Sequence, residues 1–140
     1  MIETFFHQHL QFTRSFKKKL NEELAAAGLF HSQWLVLYCI QKQQSVTLVE
    51  ISNYLDVEKP TISRTVKRLE EQGLVETISS EDKRERPIIL STKGQKSFRK
   101  GQEIVSRFEA ELMTGISEAD VKTILNTMQK FKEKMKEGRN

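Results

Sequence analysis

A chain of 140 residues makes one domain, or at most two small ones, and is long enough to bury a core without disulfide staples. Its 23 Lys and Arg against 19 Asp and Glu leave a net charge of +4, a modest basic balance whose placement matters more than its sum. One cysteine argues against a disulfide scaffold or a cysteine-based zinc site, and the apolar runs fall far below the ~20 residues of a membrane helix.

The chain begins Met1-Ile2-Glu3-Thr4-Phe5-Phe6, with no basic segment ahead of an apolar block. No signal peptide is therefore expected, and the sequence reads as cytoplasmic. Phe12, Phe16, Leu20 and Leu24 recur every four residues and predict an amphipathic helix that Gly28 breaks. Trp34, Leu35, Leu37, Tyr38 and Ile40 predict a second, more apolar helix. Leu48, Ile51 and Leu55 predict a third. A fourth carries Ile62, Val66 and Leu69, with Pro60 in its first turn, where a missing N–H costs least, and Gly73 at its end. The β-branched residues around Val75-Thr77-Ile78 and Ile88-Ile89 then flank a charged segment, Ser80 to Pro87, and read as a hairpin with a long tip. Phe98, Gly101, Val105, Phe108 and Leu112 form the seam of a fifth helix. After Thr114-Gly115, Ser117-Glu118-Ala119-Asp120 is a capping start for a sixth, carrying Val121, Ile124, Leu125, Met128, Phe131 and Met135.

Bulk charge does not locate a site, because most of the positive excess lies beyond residue 94. Local segregation does. Lys59, Arg64, Lys67 and Arg68 occupy a stretch with no acidic residue. At about 100° per residue, Ile62, Val66 and Leu69 fall on one face, while Pro60, Thr61, Arg64, Lys67 and Arg68 fall on the other. A helix apolar behind and basic or hydroxylic in front suits a DNA major groove, where Arg reads guanine edges and Lys, Thr and Ser hold phosphates. Helix, tight turn and basic helix form a helix-turn-helix. The charged hairpin that follows, with Lys83, Arg84 and Arg86, reads as a wing, from which Arg84 or Arg86 would reach the adjacent minor groove.

In order and spacing the sequence resembles the MarR family of bacterial winged helix-turn-helix regulators. The residues that carry the resemblance are Gln33-Trp34-Leu35-Val36-Leu37, Leu48 to Leu55, and Pro60 to Val75. The last are Asp82-Lys83-Arg84 with Leu90-Ser91-Thr92-Lys93-Gly94. The final pair is similar to the family's D-x-R … L-T-x-x-G pattern, with Ser91 in place of the usual Thr. Phe30 stands where a Thr or Ser cap is common, so His31 or Ser32 is expected to cap the second helix. Pro60 stands where a Ser is common, which removes one phosphate contact.

The resemblance implies a mainly α fold with a small β-hairpin wing: a single domain over 1–140, with a winged helix-turn-helix core at about 30–94. Residues 1–27 and 95–137 would then be dimerisation helices. It implies a homodimer bound to double-stranded DNA at a pseudo-palindromic operator, a nucleoid-associated repressor of transcription. Two-fold symmetry places half-sites about one helical turn, ~34 Å, apart. Thr61, Ser63, Arg64, Lys67 and Pro60 would face the major groove, Lys59 and Arg68 the phosphates, and Lys83, Arg84 and Arg86 the wing contacts. Many members of the family bind small phenolic or lipophilic effectors between the dimer helices and the winged domain, and apolar residues of helices one, two and five would line such a pocket. The reading from another class is a winged-helix protein-interaction module that does not bind DNA.

The remaining reactive residues read as structural. Cys39 sits among Leu37, Tyr38 and Ile40 with no basic neighbour placed to activate it. His7 and His9 point in different directions on a helix and His31 is isolated, so no metal is expected. Asp82 beside Lys83, Arg84 and Arg86 pairs with an Arg rather than acting as a catalytic acid. No phosphate loop, nucleophile elbow or metal-ligand spacing appears, so neither a cofactor nor an enzymatic activity is expected.

Overall fold

The computed structural model describes residues 2–78 and 86–138, with side chains from residue 4 onward. The elements are α1 (Ile2–Leu24), α2 (His31–Gln43), α3 (Leu48–Leu55), α4 (Lys59–Glu71), β1 (Val75–Thr77), β2 (Ile88–Leu90), α5 (Thr92–Met113) and α6 (Glu118–Glu137). This is the expected order of four helices, a hairpin and two helices. The chain divides into two compact units, residues 1–106 and 107–140.

In the first unit α1 buries only part of its stripe. Leu20 and Leu24 are buried, Phe16 is half-buried and Phe12 is exposed. A short 3-10 turn, Ala25–Ala27, follows, and Gly28 closes it at φ 71°, a left-handed conformation natural to glycine. The start of α2 corrects the expected cap: neither His31 nor Ser32 fills that role. The Phe30 N–H donates to Gln33 Oε1 at 3.0 Å, and the His31 N–H to Asn21 Oδ1 of α1 at 2.6 Å. Gln33 of α2 itself and Asn21 of α1 thus satisfy the N–H groups at the start of α2, which explains how an apolar residue stands at the cap. Behind this cap Gln33, Trp34, Val36, Leu37, Cys39 and Ile40 are buried, so α2 is the central helix.

A reciprocal capping box starts α3. Thr47 Oγ1 accepts from the Glu50 N–H at 3.3 Å, and Glu50 Oε1 accepts from the Thr47 N–H at 3.0 Å. Asp56 at φ 54° makes the left-handed turn into α4, and Ser52 Oγ steadies it by donating to the Val57 carbonyl at 2.6 Å. Beyond α4 the hairpin is short and antiparallel, with Val75 opposite Leu90, Glu76 opposite Ile89 and Thr77 opposite Ile88. Ile78 falls just beyond β1, although its N–H still donates to the Pro87 carbonyl at 2.8 Å. Val46 exchanges two backbone hydrogen bonds with Ile88, anchoring the hairpin base to the α2–α3 connection.

The Leu90-Ser91-Thr92-Lys93-Gly94 segment is a clip between the hairpin and α5. Ser91 Oγ donates to the Gly73 carbonyl at 2.6 Å and accepts from the Gly94 N–H at 3.0 Å. The role needs a hydroxyl, not a methyl, so Ser serves where Thr is usual. The Ser91 N–H donates to the Leu74 carbonyl at 3.0 Å, and Lys93 Nζ to the Gln72 carbonyl at 2.9 Å. Gly94 is buried against the same Leu74 carbonyl.

Further along α5, Gly101 is buried against the Trp34 ring, which stacks on Phe98 at 6.0 Å between centroids and 7° between planes. A Cβ at Gly101 would lie 2.5 Å from Trp34 Cδ1. Helix propensity favours Ala over Gly by about 1 kcal/mol, but overpacking costs about 1–3 kcal/mol. Gly101→Ala is therefore expected to destabilise the fold by about 1 kcal/mol in a denaturant melt; a stabilised variant would show that the ring yields freely.

In the second unit, Gly115 at φ 81° turns the chain after α5. Ser117 caps α6 as expected, accepting from the Asp120 N–H at 3.1 Å. No described residue of α6 is buried: Ile124, Leu125, Met128 and Met135 are all exposed, as are Leu112, Met113 and Ile116 before it. Among the described residues, no helix is long and apolar enough to cross a membrane.

Candidate nucleic-acid interface

The sequence of α4 divides cleanly between two environments. Ile62, Val66 and Leu69 are buried at 3%, 4% and 0% exposure. Lys59, Pro60, Thr61, Ser63, Arg64, Lys67 and Arg68 are all exposed. Burial of three aliphatic side chains against the helices α2 and α3 and the hairpin base fixes the rotation of α4, and that rotation presents the cations outward. Pro60 occupies the first turn, where its ring replaces an N–H that has no intrahelical acceptor.

The cationic face is not neutralised from within. Among the described residues, the ion pair closer than 4 Å joins Lys19 to Glu22, and none involves α4. Arg64 Nη2 donates to Thr61 Oγ1 at 3.3 Å, one turn back along the helix, which restrains the guanidinium while leaving its other donors free. The N-terminus of α4 adds the positive end of the helix dipole beside Lys59 and Pro60. The face therefore combines cations, hydroxyls and a helix dipole, a set suited to phosphate oxygens and base-edge acceptors.

Of the three wing cations, Arg86 is exposed and stands just before Pro87 and β2. It borders a cleft of about 380 Å³ between α4 and the hairpin, shared with Ser63, Lys67, Glu70 and Thr77. Asp82, Lys83 and Arg84 lie outside the described residues. The fold thus brings together Lys67 and Arg86, one on the helix and one at the foot of the wing.

Three features escaped the sequence reading. Glu70, on the flank of α4, accepts a hydrogen bond from Thr77 Oγ1 of β1 at 2.9 Å. Its position about 80° from Ile62 on the helical wheel separates it from the basic face, but no local spacing points to Thr77. The Asn21 and Gln33 caps of α2 are the second feature. Third, Lys42 Nζ, at the end of α2, donates to the Tyr54 hydroxyl of α3 at 3.4 Å, and this hydrogen bond holds the ammonium pKa above its ordinary range.

Cys39 is 1% exposed, and burial pushes its thiol upward, with Glu50 adding to the effect and Lys42 opposing it. A thiol held protonated inside an apolar helix face packs rather than reacts.

A family model described as "MarR family" matches residues 29–85 of the chain. An uncharacterized HTH-type transcriptional regulator of Bacillus subtilis strain 168, YwoH, is 39% identical over 125 residues, covering 89% of this chain and 91% of the relative. An uncharacterized HTH-type transcriptional regulator of Staphylococcus aureus strain Mu50 is 31% identical over 144 residues, covering 100% of this chain and 99% of the relative. Among solved structures, Staphylococcus aureus MarR in complex with salicylate and kanamycin superposes with a TM-score of 0.85 at 29% identity, over 96% of this chain and 92% of that one. A mutant MarR from E. coli complexed with operator DNA gives a TM-score of 0.84 at 24% identity, over 93% and 94% of the two chains, and shows the shared fold.

Proposed function

The chain belongs to the MarR family of helix-turn-helix transcriptional regulators, and from that premise we propose that it is a homodimeric repressor that reads a pseudo-palindromic operator. The observation that carries this reading is the exposed face of α4, with Lys59, Arg64, Lys67 and Arg68 unopposed by any acidic residue along the stretch. Arg64, Thr61, Ser63 and Lys67 meet the major groove beside Pro60, with Lys59 and Arg68 on phosphates. Lys83, Arg84 and Arg86 serve the wing, with Arg84 and Arg86 directed to the minor groove.

A second copy of the chain is the partner that fits the exposed apolar surface. In α1, Phe5, Phe6, Leu10 and Phe12 are 44–62% exposed. In the second unit, α6 has no buried residue despite its apolar stripe. Helices so patterned gain most of their stability from packing that a single chain does not supply. Light scattering at micromolar concentration is expected to return twice the 16.3 kDa chain mass; a monomer mass contradicts the assembly.

Selection of bound fragments from genomic DNA by the purified protein tests the function. The expected result is one recurrent inverted repeat, with half-sites about one helical turn apart. Recovery of unrelated fragments overturns operator reading. Within that complex Lys67→Ala is expected to weaken binding evenly across sequences and to flatten the dependence of log affinity on log salt by about one. An unchanged slope removes Lys67 from the phosphate contacts.

The effector we assign to this regulator is a small phenolic or lipophilic anion, in keeping with the salicylate named for the staphylococcal structure. Trp34, stacked on Phe98 and 5.6 Å from the Tyr38 ring, reports on the apolar region of α2 and α5 and is the only tryptophan of the sequence. Salicylate titration should perturb its fluorescence and lower operator affinity in parallel, by linkage between the two sites. Weaker DNA binding without a fluorescence change places the ligand elsewhere.

A further inference from the structure

Glu70 is an anomaly in a surface otherwise suited to DNA. It borders the cleft between α4 and the hairpin together with the cations Lys67 and Arg86, yet it forms no ion pair within 4 Å with either. A carboxylate facing a polyanion opposes binding by simple repulsion. Among the described residues, the hydrogen bond of its carboxylate runs across the cleft: Thr77 Oγ1, at the end of β1, donates to Glu70 Oε1 at 2.9 Å. The bond joins the last turn of α4 to the strand that leads into the wing.

We propose that Glu70 is a positioning residue for DNA recognition: its bond to Thr77 fixes the angle between α4 and the wing, so that Lys67 and Arg86 engage adjacent grooves together. The inference rests on the DNA-binding reading given above. The hairpin needs such a strut. It pairs over three residues per strand, and its backbone anchor, the Val46–Ile88 bridge, lies on the β2 side. Among the described residues, no backbone hydrogen bond ties β1 to α4 at the level of Thr77; the carboxylate–hydroxyl bond does. Arg86 lies just beyond Ile88, the partner of Thr77 in the ladder, so a rotation of this end of the hairpin moves Arg86 directly. A strut at this end of the hairpin holds Arg86 in place relative to Lys67.

The test measures fluorescence anisotropy on the selected operator and on random duplex, with hydroxyl-radical footprinting, for wild type and six variants. Thr77→Val keeps the strand shape and removes the donor. Thr77→Ser and Glu70→Gln keep a donor and an acceptor. Glu70→Ala removes the acceptor and the charge. Thr77→Val and Glu70→Ala are expected to weaken operator binding about fivefold, the net worth of one hydrogen bond, and to lose minor-groove protection beside each half-site. Thr77→Ser and Glu70→Gln restore wild-type protection, and affinity for random duplex stays within about twofold for the two Thr77 variants, which leave every charge in place. In an Arg86→Ala background, adding Glu70→Ala brings no further loss, because the side chain being positioned is gone. Tighter binding by both Glu70→Gln and Glu70→Ala makes Glu70 a mere opposing charge and overturns the proposal. So does a Thr77→Val protein that footprints like wild type, or a loss that adds in full to Arg86→Ala. A wild-type protein that binds no duplex refutes the functional reading itself, a result distinct from these.

Discussion

Gly94→Ala is expected to lower stability by about 4 kcal/mol, beyond the usual cost of overpacking. Ordinary helix energetics predicts the opposite sign. Gly94 lies in the first turn of α5, without a positive φ, where alanine is better than glycine by up to about 1 kcal/mol. The fold decides otherwise. A Cβ at this position would stand 1.9 Å from the Leu74 carbonyl oxygen and 2.9 Å from its carbon. Both atoms are backbone, so no side chain can swing aside. The same oxygen accepts the Ser91 N–H at 3.0 Å, and any retreat strains the Ser91 clip that joins hairpin to helix. A chain of this size loses about 3 °C of thermal midpoint per kcal/mol, so a fall of about 12 °C is expected by circular dichroism. Gly28→Ala is the control: Gly28 has nothing within 4 Å of a built Cβ, and only its φ of +71° opposes substitution. Its cost should stay near about 1 kcal/mol. A Gly94→Ala protein as stable as wild type refutes the close approach.

Arg64→Ala carries the largest expected effect on function. Arg64 is exposed at the middle of α4, opposite Ile62, Val66 and Leu69, and its guanidinium is held by Thr61 rather than by a carboxylate. A group so placed can present two parallel donors to the O6 and N7 acceptors of guanine. Its removal should cost about 1–3 kcal/mol on the operator and relax preference at one base pair of each half-site. Random duplex, which offers only phosphates, should lose much less. Arg64→Lys is expected to recover part of the affinity and little of the base preference, because an ammonium lacks the planar fork. Equal losses on operator and random DNA would reassign Arg64 to the backbone.

The face of α4 was legible in the sequence because two signals coincide there. Ile62, Val66 and Leu69 set the buried direction by their spacing, and a run free of acids sets the opposite one. Each needs only local information. The capping of α2 was not legible for the converse reason. Asn21 reaches His31 from ten positions away on another helix, and Gln33 turns back to a residue with no polar side chain. Glu70 and Thr77 show the same limit, since seven residues and a change from helix to strand separate them. The stripe of α1 was half legible. Its period gives the apolar face, but Leu20 and Leu24 are buried while Phe12 is not, and periodicity does not say what covers the remainder. The clip at Ser91 and Gly94 was visible as a pattern before its cause was. Its physical content is one hydroxyl bridging two backbone groups and one glycine admitting a carbonyl.

The central claim is that α4 delivers sequence-specific recognition through an unneutralised cationic face. The most direct measurement is the affinity of the purified protein for its selected operator and for a scrambled duplex, titrated from about 50 to about 200 mM salt. The account predicts saturable binding to both, tighter on the operator by at least about 1,000-fold. It also predicts affinities that fall steeply with salt, by a factor on the order of 1,000 across that range. Equal affinity for the two duplexes, or no saturable binding at the lowest salt, would contradict it.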